Sequence, residues 1–197
     1  MVCADNLASF FVSLELLSVP LYGMLAYTYA RGKSLEAGFK YLILSATASA
    51  TMLMGMALIY SNTGTLSFRQ IGMAIVPMFQ NGIVMPILVV GTALMLFGIA
   101  FKLSAVPFHT WTPDVYQGAP APVATFLGSV SKVAMMALGL RFLLSTATLA
   151  LPAINTLIVV IASLSMIIGN VLALRQHNIK RLLAYSSIAH IGYVLAI

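Results

Sequence analysis

Long apolar runs dominate this chain of 197 residues and limit what it can fold into. Hydrophobic residues make up 61% of the sequence and charged residues only 7%, whereas soluble domains are about 45–50% apolar and about 25% charged. A helix needs about 20 mainly apolar residues to cross a bilayer. Runs of this kind predict helices at about 7–30, 35–61, 84–106, 120–144, 152–175 and 179–197. The predicted fold class is therefore an all-α polytopic transmembrane bundle of about six helices.

The stretch between the second and third predicted spans does not fit this pattern. Residues 62–83 are amphipathic and contain Pro77, which a helix interior tolerates poorly. We expect this stretch to be too broken to span the bilayer and to lie at the outer interface instead.

The segment 104–122, SAVPFHTWTPDVYQGAPAP, contains four prolines that interrupt an otherwise helical pattern. Proline removes an amide donor and clashes with the preceding turn. One interpretation is a discontinuous membrane helix that breaks near 104–107 and continues over about 107–117. Such a break is tolerated only where protein or a watery cavity satisfies the freed backbone. The other interpretation is a surface loop with Trp111 and Tyr116 as interfacial anchors, and the residues alone leave both open.

Three charged side chains, Glu15, Lys102 and Lys132, fall inside the apolar runs. A charge at the bilayer centre costs about 2.5–3.5 kcal/mol on insertion scales. Glu15 and Lys132 lie near the middle of their spans, so they are candidate functional residues, and a basic partner is the expected solution for Glu15. Lys102 is nearer a helix end, where its long side chain could simply reach the interface. It is deep only if the helix breaks at 104–107.

Polar residues accompany these charges at helical spacing. The three stripes are Glu15, Ser18 and Tyr22; Thr125, Ser129 and Lys132; and Ser186, His190 and Tyr193. Hydroxyls, an imidazole and a lysine on one face can order water and pass protons along it when the face points into the bundle. In the alternative, the hydroxyls bond their own backbone or a neighbouring helix, and His190 is a buried histidine with its bonds satisfied.

The sequence contains no pattern for a bound cofactor or for nucleic acid. Cys3 is the only cysteine, which rules out an internal disulfide and a thiolate metal cage. His109, His177 and His190 lack zinc-type spacing. There is no nucleotide-binding loop and no CxxC pair, and the basic residues are not clustered as nucleic-acid binding requires.

Two stretches carry a family resemblance. FKLSAVPFHTWTPDVYQGAPAPVATFL (101–127) and NIKRLLAYSSIAHIGYVL (178–195) resemble the antiporter-like N subunits of bacterial NADH–quinone oxidoreductase, respiratory complex I. The second stretch is shared with Mrp-type cation/proton antiporters, whereas TPDVYQGAPAPV favours the N subunits. The resemblance runs in order over nearly the whole chain. It implies that residues 1–197 form a single transmembrane domain, the central fragment of a fourteen-helix subunit of the bacterial inner membrane.

The resemblance also implies a function and the residues that carry it. The implied proton-translocating residues are Glu15, Lys102, Lys132, Lys180, His109 and His190. Glu15 would pair with Lys102, and Lys132 would be the next proton carrier. The implied partners are other membrane subunits of complex I, lipid and protons. NADH, FMN, iron–sulfur clusters and quinone would be used by the complex, a redox-driven translocase, and none would be bound by this chain. Two alternatives are a subunit of an Mrp-type antiporter and a structural membrane spacer whose charges only fix helix packing.

Overall fold

A computed structural model of the chain describes residues 1–28, 30, 32–80 and 86–196 as helices joined by short loops. The helices are α1 (Leu7–Ala26), α2 (Gly32–Thr63), α3 (Phe68–Gln80), α4 (Pro86–Leu103), α5 (Trp111–Gly118), α6 (Ala121–Gly128), α7 (Val130–Ser145), α8 (Pro152–Leu174) and α9 (Ile179–Leu195). Within these residues, five stretches are long and apolar enough to cross a membrane, namely α1, α2, α4, α6 together with α7, and α8. The predicted all-α transmembrane bundle is therefore confirmed.

The ends of the predicted spans differ from the observed helices for local reasons. Positions 29, 84–85 and 197 of those spans lie outside the described residues. The last predicted span is a helix, α9, but its 17 residues fall short of the usual spanning length of about 20. The stretch 62–83 contains α3, which at 13 residues is too short to cross a bilayer, as predicted. Positions 81–83 of that stretch are not described.

Small residues allow two pairs of helices to pack with their backbones in contact. A Cβ atom built on Gly55 of α2 would lie 2.6 Å from the Gly91 carbonyl oxygen of α4. A Cβ atom on Gly169 of α8 would lie 2.7 Å from the Ala189 amide nitrogen of α9. Close approach of this kind is how helices associate in lipid, where apolar burial supplies little driving force. The pairs α2–α4 and α8–α9 therefore pack backbone against backbone.

The predicted discontinuous helix is confirmed by the end of α4. The Ala105 amide donates to the Ala100 carbonyl and the Ser104 amide to the Phe101 carbonyl, at 2.8 and 3.0 Å. Ser104 has a φ of 63°, the left-handed conformation that commonly ends a helix in this way. A residue with a Cβ atom adopts that conformation at a cost of about 1–2 kcal/mol. The chain thus leaves the helix inside the protein, since Ser104 and Ala105 are fully buried.

Side chains satisfy the backbone around this break. The Val106 amide donates to Ser165 Oγ of α8 at 2.9 Å, and Trp111 Nε1 donates back to the Phe101 carbonyl at 3.2 Å. This protein-based satisfaction is what a helix break at membrane depth requires. The surface-loop interpretation is wrong, because Trp111 and Tyr116 are only 3% and 5% exposed. They pack in the interior and do not anchor the chain at an interface.

Candidate functional site

Lys102 lies in the last turn of α4, directly before the break, and is only 9% exposed. Its Nζ donates to Ser18 Oγ of α1 and Ser45 Oγ of α2, both at 2.6 Å. The ring centre of Tyr41 lies 5.6 Å from the same nitrogen. The negative end of the helix dipole favours a cation at this position. The interpretation that Lys102 merely reaches the interface is wrong, because protein encloses its ammonium group.

Glu15 is half-buried on α1 and accepts a hydrogen bond from Ser49 Oγ at 2.6 Å. No ion pair within 4.0 Å joins Glu15 to Lys102 in the described residues, so the direct contact implied by the resemblance is not seen. Each of the two charged groups bonds a serine of α2 instead. Ser45 and Ser49 are one helical turn apart, and one hydroxyl bonds the lysine while the other bonds the carboxylate.

The first polar stripe converges on this site. The Tyr22 hydroxyl donates to Ser45 Oγ at 3.1 Å, so it lies one bond away from the lysine. Ser18 accepts from Lys102 and donates its own proton to the Leu14 carbonyl at 2.8 Å. Both interpretations of the stripe therefore apply to Ser18, which bonds its own backbone and also contacts the buried charge.

Lys132 forms a second buried site, at 4% exposure. Its Nζ donates to Ser187 Oγ of α9 at 2.8 Å, and Ser187 in turn donates to the Ala184 carbonyl at 2.7 Å. The ring centre of Tyr116 lies 5.9 Å from the Lys132 nitrogen. Lys132 therefore links α7 to α9 and faces α5.

In the other two stripes, some hydroxyls bond their own backbone, whereas other side chains face a recess. The Thr125 hydroxyl bonds the Ala121 carbonyl at 3.0 Å, and the Ser129 hydroxyl bonds the Thr125 carbonyl at 2.7 Å. These two hydroxyls follow the structural alternative. Ser186 and His190 line a recess of about 400 Å³ between α5, α6 and α9, and Thr125 and Ser129 line the same recess. His190 is exposed in the described part of the chain, so the interpretation that it is a buried, satisfied histidine is wrong.

Lys180 and His109 lie near opposite ends of α5, the helix that follows the break. Lys180 Nζ donates to the Ala119 carbonyl at 2.7 Å and lines the same recess. It therefore satisfies a carbonyl just beyond the end of α5. His109 is half-buried in the break, and its Nδ1 finds no hydrogen-bond partner in the described residues. Its ring centre lies 6.5 Å from that of Tyr185.

Asp114 was not among the predicted site residues, yet it joins three helices. Its two carboxylate oxygens bond Lys40 of α2 at 3.0 Å and Arg181 of α9 at 2.8 Å. Burial raises the pKa of Asp114, but the bonds from Lys40 and Arg181 outweigh it and hold the pKa below its usual value. Gln117 accepts a further bond from Arg181 at 3.0 Å. We call Asp114, Lys40 and Arg181 the Asp114 cluster.

Ser18 was in the first predicted stripe, but Ser45, Ser49 and Ser187 were not predicted. Ser45 and Ser49 stand four residues apart in an apolar run, and this spacing is a signal that could have identified them. Ser187 precedes Ile188 in the last helix and gives no comparable signal. Its role follows from the packing of α9 beside α7.

Together these features define a polytopic membrane protein with an interrupted helix and two buried lysines. Residues 4–197 match the family described as NADH:quinone oxidoreductase/Mrp antiporter, transmembrane, and the chain belongs to that family. It is similar to NADH-quinone oxidoreductase subunit N of Psychrobacter arcticus, with 64% identity over 100% of the chain and 39% of the relative. The corresponding protein of Acinetobacter baumannii is 55% identical over 99% of the chain and 38% of the relative. The resemblance found in the sequence is confirmed.

Solved structures give the same grouping. Respiratory complex I from Thermus thermophilus contains a similar chain, with a TM-score of 0.82, 40% identity, and coverage of 98% of this chain and 40% of that one. The Mrp complex from Dietzia sp. gives a TM-score of 0.85 and 26% identity, with coverage of 98% and 35%. The chain thus spans less than half the length of the relatives that it matches.

Proposed function

We propose that this chain belongs to a proton-translocating membrane subunit of a NADH–quinone oxidoreductase in the bacterial inner membrane. One observation carries the proposal. Lys102 and Lys132 are both buried, and each bonds hydroxyl groups, with no carboxylate within 4.0 Å in the described residues. An ammonium in such a site has hydrogen-bond acceptors but no adjacent counter-charge to keep it ionised. A lysine there is suited to take up and release a proton.

The hydrogen-bonded groups around the lysines give the proposal a route. Protons reach Lys102 through the Tyr22 and Ser45 hydroxyls and leave Lys132 toward the recess. Glu15 acts on Lys102 through the serines of α2, since a carboxylate charge favours the ammonium form. The full set of proton-carrying residues proposed is Glu15, Lys102, Lys132, Lys180, His109 and His190.

The partners in this proposal are neighbouring membrane subunits and lipid. The names of the relatives at 64% and 55% identity support a place in NADH–quinone oxidoreductase. The redox groups of that complex (FMN, iron–sulfur clusters and quinone) would be held by other subunits. Electron transfer from NADH to quinone would then drive proton transfer in this chain by shifting the charge balance at Glu15 and Lys102.

A second candidate is a subunit of an Mrp-type cation/proton antiporter. The TM-score to the Mrp complex is 0.85, close to the 0.82 for the complex I chain, so the fold fits both classes of protein. Sequence identity favours complex I, at 40% against 26% for the Mrp chain. Transport assays with and without sodium separate the two, since an antiporter exchanges the cation for protons and a redox pump works in its absence.

The decisive experiment is Lys132→Ala in the full-length subunit within the assembled complex. Proton translocation is measured in membrane vesicles as NADH is oxidised by quinone. We expect most of the proton translocation to be lost while the complex still assembles. Arg69→Ala, at an exposed position of α3, is the matched control and leaves translocation unchanged. Normal translocation by the Lys132 variant would contradict the proposal and favour a structural spacer.

A further inference from the structure

Tyr116 is a buried polar side chain outside the proton route proposed above. Its Oη finds no hydrogen-bond partner in the described residues. Buried hydroxyls are normally bonded, and an unpaired one costs about 1–3 kcal/mol. The hydroxyl also faces Gly128 at the junction of α6 and α7, because a Cβ atom built on Gly128 would lie 3.0 Å from Tyr116 Oη. A larger residue at 128 would crowd this hydroxyl.

The recess beside Tyr116 is large enough to hold water, and its lining, although mainly apolar, includes several polar side chains. Its volume is about 400 Å³, whereas one water needs only about 10–15 Å³ by the same measure. Lys180, Ser186, Ser187 and His190 line it together with Tyr116. A bound water requires two to four polar partners, and these side chains supply them along the recess.

Ser187 holds Lys132 but is poorly placed to pass its proton onward. The Ser187 hydroxyl accepts from Lys132 and donates its only proton to the Ala184 carbonyl. Handing a proton toward the recess would require breaking that second bond. The Tyr116 hydroxyl has no such commitment in the described part of the chain, and its ring already lies beside the Lys132 nitrogen.

We infer that Tyr116 is a relay residue whose hydroxyl, bonded to water in the recess, carries the proton between Lys132 and the Lys180–His190 side. This inference rests on the proposed function. A phenol both donates and accepts a hydrogen bond. The Lys132 ammonium gives one proton to a water, and that water passes a proton to Tyr116 Oη. In the same step the original Tyr116 O–H bond breaks and its proton goes to the next water. Tyr116 ends neutral, one proton has moved, and nothing is oxidised or reduced.

The test is Tyr116→Phe in the assembled complex, because this change keeps the ring against Lys132 and removes only the hydroxyl. We expect normal assembly and at least about a ten-fold fall in the rate of proton translocation, a modest effect for the loss of a proton-transfer group. Tyr60→Phe, at an exposed tyrosine of α2, is the matched control and leaves the rate unchanged. An unchanged rate in Tyr116→Phe would overturn the inference.

A structural measurement keeps the inference testable if Tyr116→Phe does not assemble. In a density map of the intact wild-type complex, we expect an ordered water about 3 Å from Tyr116 Oη. A protein group bonded to that hydroxyl in place of water would overturn the relay. Lys132→Ala separates the two proposals. Loss of translocation in Lys132→Ala with a normal Tyr116→Phe overturns the relay alone, whereas normal translocation in Lys132→Ala overturns both.

Discussion

Charged side chains in two regions of the bundle are stabilised in different ways. In the Asp114 cluster, the half-exposed Asp114 carboxylate bonds two positively charged side chains, Lys40 of α2 and Arg181 of α9. At Lys102 and Lys132, a buried ammonium bonds only neutral hydroxyls in the described residues. Paired charges hold their protonation state over a wide pH range, whereas an ammonium without a counter-charge changes state more easily. The comparison separates a cluster of paired charges from the two sites at which we propose proton transfer.

The largest effect expected is from Lys102→Met, which removes the charge and keeps the length of the side chain. We expect proton translocation to be lost while the thermal stability of the purified complex stays the same or rises. Replacing a buried charge by an apolar residue of similar size is often neutral or stabilising. Proton uptake and a melting curve on the same preparation check both parts. A large drop in stability would show that Lys102 is needed for the fold, and would remove the contrast with Asp114.

Asp114→Asn should have the opposite pattern, with a smaller effect. The amide keeps the size of the side chain but loses both ion pairs, so α5 is held less firmly between α2 and α9. Because the carboxylate is 39% exposed, solvent screening limits the loss to about 1 kcal/mol or less. The melting temperature of the complex measures it, with Glu36→Gln as the control on the most exposed partner of Lys40. A loss of translocation without any change in stability would contradict the structural role.

The smallest effect expected is a pH dependence from the same carboxylate. The cations hold the pKa of folded Asp114 below its ordinary value of 3.8. Its contribution to stability is therefore present above pH 3.8 and is lost as the pH falls through the lower, folded pKa. Melting curves at a series of acidic pH values should show a steeper decline for the wild type than for Asp114→Asn. Identical declines would show that the ion pairs contribute nothing measurable.

The sequence predicts the positions of the helices better than it predicts the partners of their charged side chains. The helices followed from apolar run length, which acts locally, whereas the prolines of 104–122 indicated a break near 104–107 but left a surface loop open. The partners of Glu15 and Lys102 could not be predicted, because residue spacing within one helix does not show which neighbouring helix a side chain faces. The hydroxyls of α2 lie where a direct ion pair was expected.

The Asp114 cluster was missed for a related reason. Lys40 and Arg181 lie near helix ends, where basic residues commonly set membrane topology, and Asp114 lies in the stretch for which the residues left two interpretations open. Their contact depends on α5 folding back between α2 and α9, which the prolines allow but do not specify. Tyr116 was left undecided for the same reason, since a tyrosine near a loop resembles an interfacial anchor until its burial is known.

The central claim is that the buried lysines act by releasing a proton and not merely by carrying a charge. Lys102→Arg tests it most directly, because arginine keeps the positive charge and the hydrogen-bond donors but does not deprotonate in proteins. Lys40→Arg, in the Asp114 cluster, is the matched control in which only the charge matters. The measurement is proton translocation per NADH oxidised in the assembled complex. The account predicts loss in Lys102→Arg and normal translocation in Lys40→Arg, and normal translocation in Lys102→Arg would contradict it.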